Sequence, residues 1–145
     1  MGDYTALHFV GIVKKKYVKM VEQIENDKEW IKDDWKNFAK EYPFTKRLSK
    51  CSRSGFIPFG GISAYNEDKF GKENYHNLVY SWDGLYGEDE CATWTFLCDL
   101  KNYSDEIEIF IKDIAEEICD TYIAEVWSED SAFPIIYKKG TEEYE

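Results

Sequence analysis

Residues 91–118 read CATWTFLCDLKNYSDEIEIFIKDIAEEI, and two hydrophobic periodicities meet within this stretch. Apolar side chains first recur at every second position, which is typical of a β-strand with one buried face. The residues on that face are Ala92, Trp94, Phe96 and Cys98. From Ile107 to Ile118 the apolar residues instead recur three and one apart, which predicts an amphipathic α-helix. Ser104 is placed to cap this helix, with Asp105 and Glu106 in its first turn.

The rest of the chain repeats this mixture of strand and helix patterns. Residues 4–13 are rich in β-branched and aromatic residues, which predicts a first strand. Helical spacing predicts two amphipathic helices, at about 15–26 and at 27–42, and Pro43 ends the second. Four further strands are predicted at 60–65 (GGISAY), 78–84 (LVYSWDG), 121–127 (TYIAEVW) and 134–139 (PIIYKK).

This order predicts an α+β fold, a single domain over residues 1–140 with a frayed acidic tail at 141–145. We expect an antiparallel or mixed sheet with the helices on one face. The pattern is close to a ferredoxin-like β-α-β-β-α-β plan with an extra early helix and an extra strand.

The charge of the chain is unevenly distributed. The net charge is -11, yet residues 1–53 carry 12 basic and 8 acidic side chains, while residues 54–145 carry 6 basic and 21 acidic ones. Binding of nucleic acid needs clustered cations, so the acidic balance disfavours a direct nucleic-acid partner. It favours a basic protein partner, although an acidic surface also simply keeps a small protein soluble.

The residues that carry most enzyme and metal chemistry are scarce. The four cysteines show no C-x-x-C spacing, and His8 and His76 are far apart in the chain, which disfavours zinc. We expect no metal, no cofactor and no enzyme activity. No apolar run is long enough to span a bilayer, so we expect a cytoplasmic protein with reduced thiols.

Residues 54–65, SGFIPFGGISAY, form the most glycine-rich segment of the chain. The Lys and Ser or Thr of a phosphate-binding P-loop do not follow its glycines, and the dinucleotide fingerprint is absent. One interpretation is a turn and bend that joins the sheet. The other is a ligand site in which neighbouring cations bind phosphate beside aromatic rings; its residues are Arg47, Lys50, Arg53, Phe56 and Phe59.

Acidic and aromatic residues lie together in two places. GEDE at 87–90 is the predicted hairpin loop, and AEVWSEDSAF at 124–133 follows the last helix. Such mixtures are typical of contacts with basic proteins. The candidate partner-binding residues are Trp82, Glu88, Asp89, Glu90, Trp127, Glu129 and Asp130. The last helix adds acids that could imitate a phosphate backbone: Glu106, Asp113, Glu116, Glu117 and Asp120.

Three segments within residues 54–130 resemble small proteins encoded in phages and prophages of Gram-positive bacteria: SGFIPFGGISAY, WTFLCDLKNYSDEIEIF and VWSED. The resemblance implies an anti-defence inhibitor, such as an anti-CRISPR protein, and transfers no catalytic residue. The partner would be a bacterial defence or nucleic-acid-binding protein. An immunity protein that neutralises a basic toxin, and a protein that sequesters a nucleotide-like immune signal, remain alternatives. The many aromatic residues leave room for a homodimer.

Overall fold

The computed structural model describes residues 4–27, 40–51, 53–71, 75–83 and 89–140. The described residues include five strands: β1 (Tyr4–Val13), β2 (Tyr75–Asp83), β3 (Asp89–Lys101), β4 (Cys119–Ser128) and β5 (Ile135–Lys139). After β1, a 3-10 turn (Lys15–Tyr17) leads into α1 (Val18–Asp27), and a second one (Pro43–Thr45) leads into α2 (Lys46–Ser49). The short helical turns α3 (Phe56–Phe59) and α4 (Glu67–Phe70) follow. The helix between β3 and β4, α5, covers residues 106–118 and is π-helical over Phe110–Ala115.

The strands form one antiparallel sheet in the order β2-β3-β1-β4-β5. β1 is central: Phe9 lies opposite Phe96 of β3 and opposite Ala124 of β4. The predicted α+β class is confirmed, and the ferredoxin-like plan stays a prediction.

The core lies between one face of the sheet and the helices. Phe9 is its aromatic centre, with ring centroids at 5.1 Å from Phe96, 5.3 Å from Phe110 and 5.9 Å from Trp94. The six apolar residues predicted on the buried stripe of α5 are all buried: Ile107, Phe110, Ile111, Ile114, Ala115 and Ile118. The opposite sheet face keeps exposed apolar side chains, including Val10, Val79 and Ile123.

Most predicted elements are confirmed, with three corrections. The predicted hairpin loop at 87–90 is too long, because Asp89 and Glu90 already belong to β3 and pair with β2. The predicted strand 60–65 is wrong, because residues 60–63 have no regular structure and 64–66 form a turn. The predicted Ser104 cap is also wrong: the amide of Ile107 donates to Asn102 Oδ1 (2.9 Å), and Glu106 is wholly buried. The predicted helix 27–42 and tail 141–145 lie mainly outside the described residues, although Lys40 and Glu41 are helical. Within the described ranges, no helix is both long and apolar enough to cross a membrane.

Candidate functional site

The glycine-rich segment covers the edge of β3 where β2 has not yet begun. β2 starts at Tyr75, opposite Leu97, so that Asp99 lies beyond its pairing. The amide of Asp99 there donates to Gly60 O at 3.3 Å. A Cβ on Gly60 would lie 2.1 Å from Asp99 O, so only glycine fits. This supports the interpretation of the segment as a bend that joins the sheet.

A cavity of about 280 Å³ lies beside this bend. The residues that line it include Tyr4, Arg53, Phe56, Gly61, Asp99 and Lys101. The Arg53 guanidinium lies 5.1 Å from the centroid of the Tyr103 ring, and Lys101 Nζ lies 5.3 Å from that of Tyr4. The cations Arg53 and Lys101 and the aromatic residues Tyr4 and Phe56, from three separate segments, therefore line one cavity. Arg53 and Phe56 were both predicted as ligand residues.

Asp99 is the buried acceptor that holds the wall of the cavity together. Its carboxylate accepts hydrogen bonds from the Ser63 amide (2.8 Å) and from Asn66 Nδ2 (3.1 and 3.2 Å). Asp99 and Asn66 are both buried. Because a buried carboxylate is stable only when it is hydrogen-bonded, this network fixes residues 60–66 against the sheet.

The other predicted ligand residues lie elsewhere. Arg47 makes a bidentate ion pair with Asp113 of α5, with both contacts at 2.8 Å, and this hydrogen bond raises the pKa of the guanidinium. Lys50 lines a second, more open cavity of about 450 Å³ together with Arg47. Phe59 instead packs against the ring of His76, with centroids 4.9 Å apart. The five predicted residues therefore do not form one site.

His76 belongs to a third cluster, built around the carboxylate of Glu25. Glu25 pairs with His76 Nδ1 and accepts a hydrogen bond from Trp94 Nε1 at 2.7 Å. Trp94 is wholly buried. A charge-assisted hydrogen bond thus ties α1 to β3 and β2, which gives Glu25 a structural role that its sequence context did not reveal.

The candidate partner-binding residues fall into two sets at opposite ends of the sheet. Trp82 lies on β2 opposite Glu90, and Asp89 begins β3. Trp127 pairs instead with Ala6, whose other neighbour is Asp99. Glu90 and Asp99 are nine positions apart on β3, which is about 30 Å. Glu88 lies outside the described residues.

The second set lies on the β4–β5 turn, which internal hydrogen bonds hold in one shape. Trp127 Nε1 donates to Ser131 O (2.9 Å), the Ser131 amide donates to Ser128 O (3.1 Å), and Ser128 Oγ donates to Asp130 (3.0 Å). The turn presents Phe133, which is 81% exposed and was not among the predicted site residues. Trp127 thus stabilises the turn through its indole N–H, whereas Phe133, six residues further along the chain, is the exposed aromatic residue.

Lys69 of α4 ties a second segment to this turn. Its Nζ donates to Ser128 O (3.3 Å), Glu129 O (3.1 Å) and Asn66 Oδ1 (3.2 Å), and it lies 5.5 Å from the Trp127 ring centroid. Lys69 thus joins α4, which also carries Glu67 and Asp68, to the turn that carries Glu129 and Asp130. We call residues 65–70 and 128–134 together the acidic corner.

Of the five acids predicted on the last helix, Glu116, Glu117 and Asp120 are exposed, but most of the set also make contacts within the protein. Glu106 is buried, and its Oε2 accepts the Ser104 amide at 3.0 Å. Asp113 is held by Arg47, and Glu117 accepts the Tyr17 hydroxyl at 2.5 Å. Glu116 accepts the hydroxyl of Tyr122. These side chains mainly serve internal contacts.

The thiols that the structure describes, those of Cys51, Cys98 and Cys119, are not set up as nucleophiles. Burial raises the pKa of Cys119 to about 12 and that of Cys98 well above its ordinary value, and it also raises the pKa of Cys51. A thiol with a raised pKa carries little thiolate at neutral pH. Among the described residues no group of three or more His, Cys, Asp or Glu side chains could hold a metal ion.

No protein-family model, curated protein or solved structure matches the chain.

Proposed function

We propose that this chain is a non-enzymatic binding protein that engages a basic protein partner through the acidic corner and inhibits it. The observation that carries the proposal is Phe133, which is 81% exposed in the loop between β4 and β5, two residues beyond the hydrogen-bonded turn at 127–131. Acidic residues lie on both segments of the acidic corner: Glu67, Asp68, Glu129 and Asp130.

An aromatic side chain on a pre-formed turn is well suited to bind a protein. Binding energy concentrates in a few aromatic anchors, and little conformational entropy is lost when the anchor is already held in place. The surrounding carboxylates disfavour an acidic partner and would speed the approach of a basic one. The overall charge of -11 acts in the same direction.

The partner we propose is a bacterial defence protein that carries a basic surface, such as a nucleic-acid-guided complex. The resemblance of residues 54–130 to small phage and prophage proteins supports this class. An immunity protein would present the same kind of surface to a basic toxin, and the identity of the captured partner distinguishes the two functions. Trp82, Asp89 and Glu90, at the far end of the sheet, would form a second contact with a large partner.

The test is capture of partners from a bacterial lysate by the tagged full chain at low and at high salt. We expect one dominant protein that is released as the salt concentration rises, because salt screens exposed charges. Phe133→Ala should abolish its capture, and Asp130→Asn should weaken it. Mass spectrometry then identifies the partner as a defence protein or a toxin.

Phe56→Ala is the matched control, because Phe56 is an exposed phenylalanine at the cavity and outside the acidic corner. It should capture the same protein as the unmodified chain. Equal capture by the unmodified chain and by Phe133→Ala would contradict the proposal, as would a partner with an acidic surface.

A further inference from the structure

The cavity beside the Gly60 bend brings together the two cationic side chains Arg53 and Lys101 in an otherwise acidic molecule. Lys101 is one of only 6 basic side chains in residues 54–145, against 21 acidic ones, so its position at this cavity beside Arg53 is unusual. We propose that this cavity binds a small phosphorylated ligand that carries a planar ring, about the size of a mononucleotide. This site is separate from the acidic corner and does not rest on the function proposed for it.

Arg53 supplies a donor that is ready to bind an anion. Its Nε is buried and has no hydrogen-bond partner among the described residues. Buried polar atoms are nearly always hydrogen-bonded, so an unsatisfied donor at a cavity indicates an acceptor that arrives from outside. The Tyr103 ring supports the guanidinium from the side, which leaves its fork to bind phosphate oxygens.

A second polar group near the cavity is also unsatisfied. Ser63 Oγ is buried without a hydrogen-bond partner in the described ranges, and the Ser63 amide binds Asp99, which lines the cavity. A carboxylate accepts about four hydrogen bonds, and the Ser63 amide and Asn66 Nδ2 are the donors bound to that of Asp99. Asp99 can therefore accept a ring N–H, while the cations bind the phosphate.

Aromatic side chains supply the surface on which a planar ring would lie. Phe56 is exposed and lines the cavity, and the Tyr4 ring is fixed by stacking on Tyr65, with centroids 6.1 Å apart. Stacking on aromatic side chains is a common way to bind a base without reading its identity.

The volume limits the ligand. At about 280 Å³ the cavity is slightly smaller than the usual range for small-molecule sites, which is about 300–1,000 Å³. A mononucleotide is of this size, whereas a cyclic dinucleotide or a longer oligonucleotide exceeds it. The proposed ligand is therefore a single nucleotide or a metabolite of similar size.

The test is isothermal titration of the full chain with four nucleoside monophosphates, those of adenine, guanine, cytosine and uracil. Inorganic phosphate and adenosine are titrated in parallel. We expect at least one monophosphate to bind more tightly than phosphate or adenosine alone. Arg53→Gln should weaken that binding about tenfold or more, the loss expected for a hydrogen bond to a charged group. Arg47→Gln is the matched control, since Arg47 lies outside this cavity and is paired with Asp113.

Phe56→Ala distinguishes the contribution of the planar ring to binding from that of the phosphate. This variant should bind nucleotide more weakly and bind inorganic phosphate unchanged. Melting curves without ligand show that each variant is folded. The proposal is overturned if none of the four monophosphates binds with a Kd below about 1 mM, or if Arg53→Gln binds as tightly as Arg47→Gln. Equal affinity for phosphate and for the best monophosphate would overturn the assignment of a planar ring.

Discussion

The backbone of Gly60 lies directly against the carbonyl oxygen of Asp99, and Gly60 O accepts the Asp99 amide at 3.3 Å. This contact explains why a segment with strand-like residues is not a strand. Gly60 accepts the hydrogen bond of one backbone amide at the edge of β3, that of Asp99. The chain then turns, and the Ser63 amide and the Asn66 side chain donate to the carboxylate of Asp99. The same bend forms one side of the cavity that contains Arg53.

Substitution of Gly60 by alanine should therefore destabilise the fold. The new Cβ would lie 2.1 Å from Asp99 O, so the backbone must move, and overpacking of this kind costs about 1–3 kcal/mol or more. Gly61→Ala is the matched control, because no atom lies within 4 Å of the position that its Cβ would take, and its free energy of unfolding should change by less than about 0.5 kcal/mol. Urea unfolding of both variants measures the difference. Equal stability would show that the segment is not held against β3.

Removal of the Asp99 carboxylate tests the network behind the bend. Asp99→Ala leaves the Ser63 amide and the buried Asn66 side chain without their acceptor, and each orphaned donor costs about 1–3 kcal/mol. Hydrogen exchange of the Ser63 amide should accelerate strongly. Asp130→Ala, which removes an exposed carboxylate, should leave the free energy of unfolding and the exchange rate of the Ser63 amide nearly unchanged. Slow exchange at Ser63 in Asp99→Ala would contradict the network.

A tyrosine between α1 and α5 should make stability depend on pH in the alkaline range. The hydrogen bond that Tyr17 donates to Glu117, together with burial, raises the pKa of its phenol from 10.0 to about 12. The folded protein therefore holds this proton more tightly than the unfolded chain does. The resulting stabilisation is complete below pH 10 and is lost as the pH rises from 10 towards 12.

The measurement is the free energy of unfolding of the unmodified protein and of Tyr17→Phe across this range. The advantage of the unmodified protein at neutral pH should shrink between pH 10 and 12. Comparison with Tyr17→Phe cancels the contributions of tyrosines whose pKa values are raised by other groups, such as Tyr137. In Glu117→Gln the phenol should titrate closer to its ordinary value. A constant difference between the two proteins would refute the assignment.

The regular elements were predictable because burial repeats along them. Ala92, Trp94 and Phe96 alternate on one face of β3, and the apolar stripe of α5 recurs at helical spacing. Residues 60–65 are too short to show such a repeat, because only four residues follow the two glycines. The path of this segment depends instead on its contact with Asp99, which is distant in the sequence. The Ser104 cap failed for a similar reason, because Asn102 reaches the first turn from outside the usual capping position.

The candidate site was predictable only in part. Arg53 and Phe56 were expected to bind a ligand together, yet their partners at the cavity, Tyr4 and Lys101, lie opposite each other on β1 and β3, far away in the sequence. Spacing along the chain does not encode such a meeting. Phe133 was missed because its exposure depends on the course of the loop between β4 and β5, which contacts such as that from Trp127 Nε1 to Ser131 O shape.

The carboxylate of Glu25 should stabilise the packing of α1 on the sheet. It accepts the indole N–H of wholly buried Trp94 at 2.7 Å and pairs with His76. Glu25→Ala should leave that N–H unsatisfied and lower the free energy of unfolding by about 1–3 kcal/mol, with a change in the fluorescence of Trp94. Glu22→Ala is the control, because Glu22 lines the same open cavity as Glu25 and His76. It should change the stability by less than about 0.5 kcal/mol. Similar losses in the two variants would mean that the general acidity of α1, rather than the bond to Trp94, stabilises this side of the sheet.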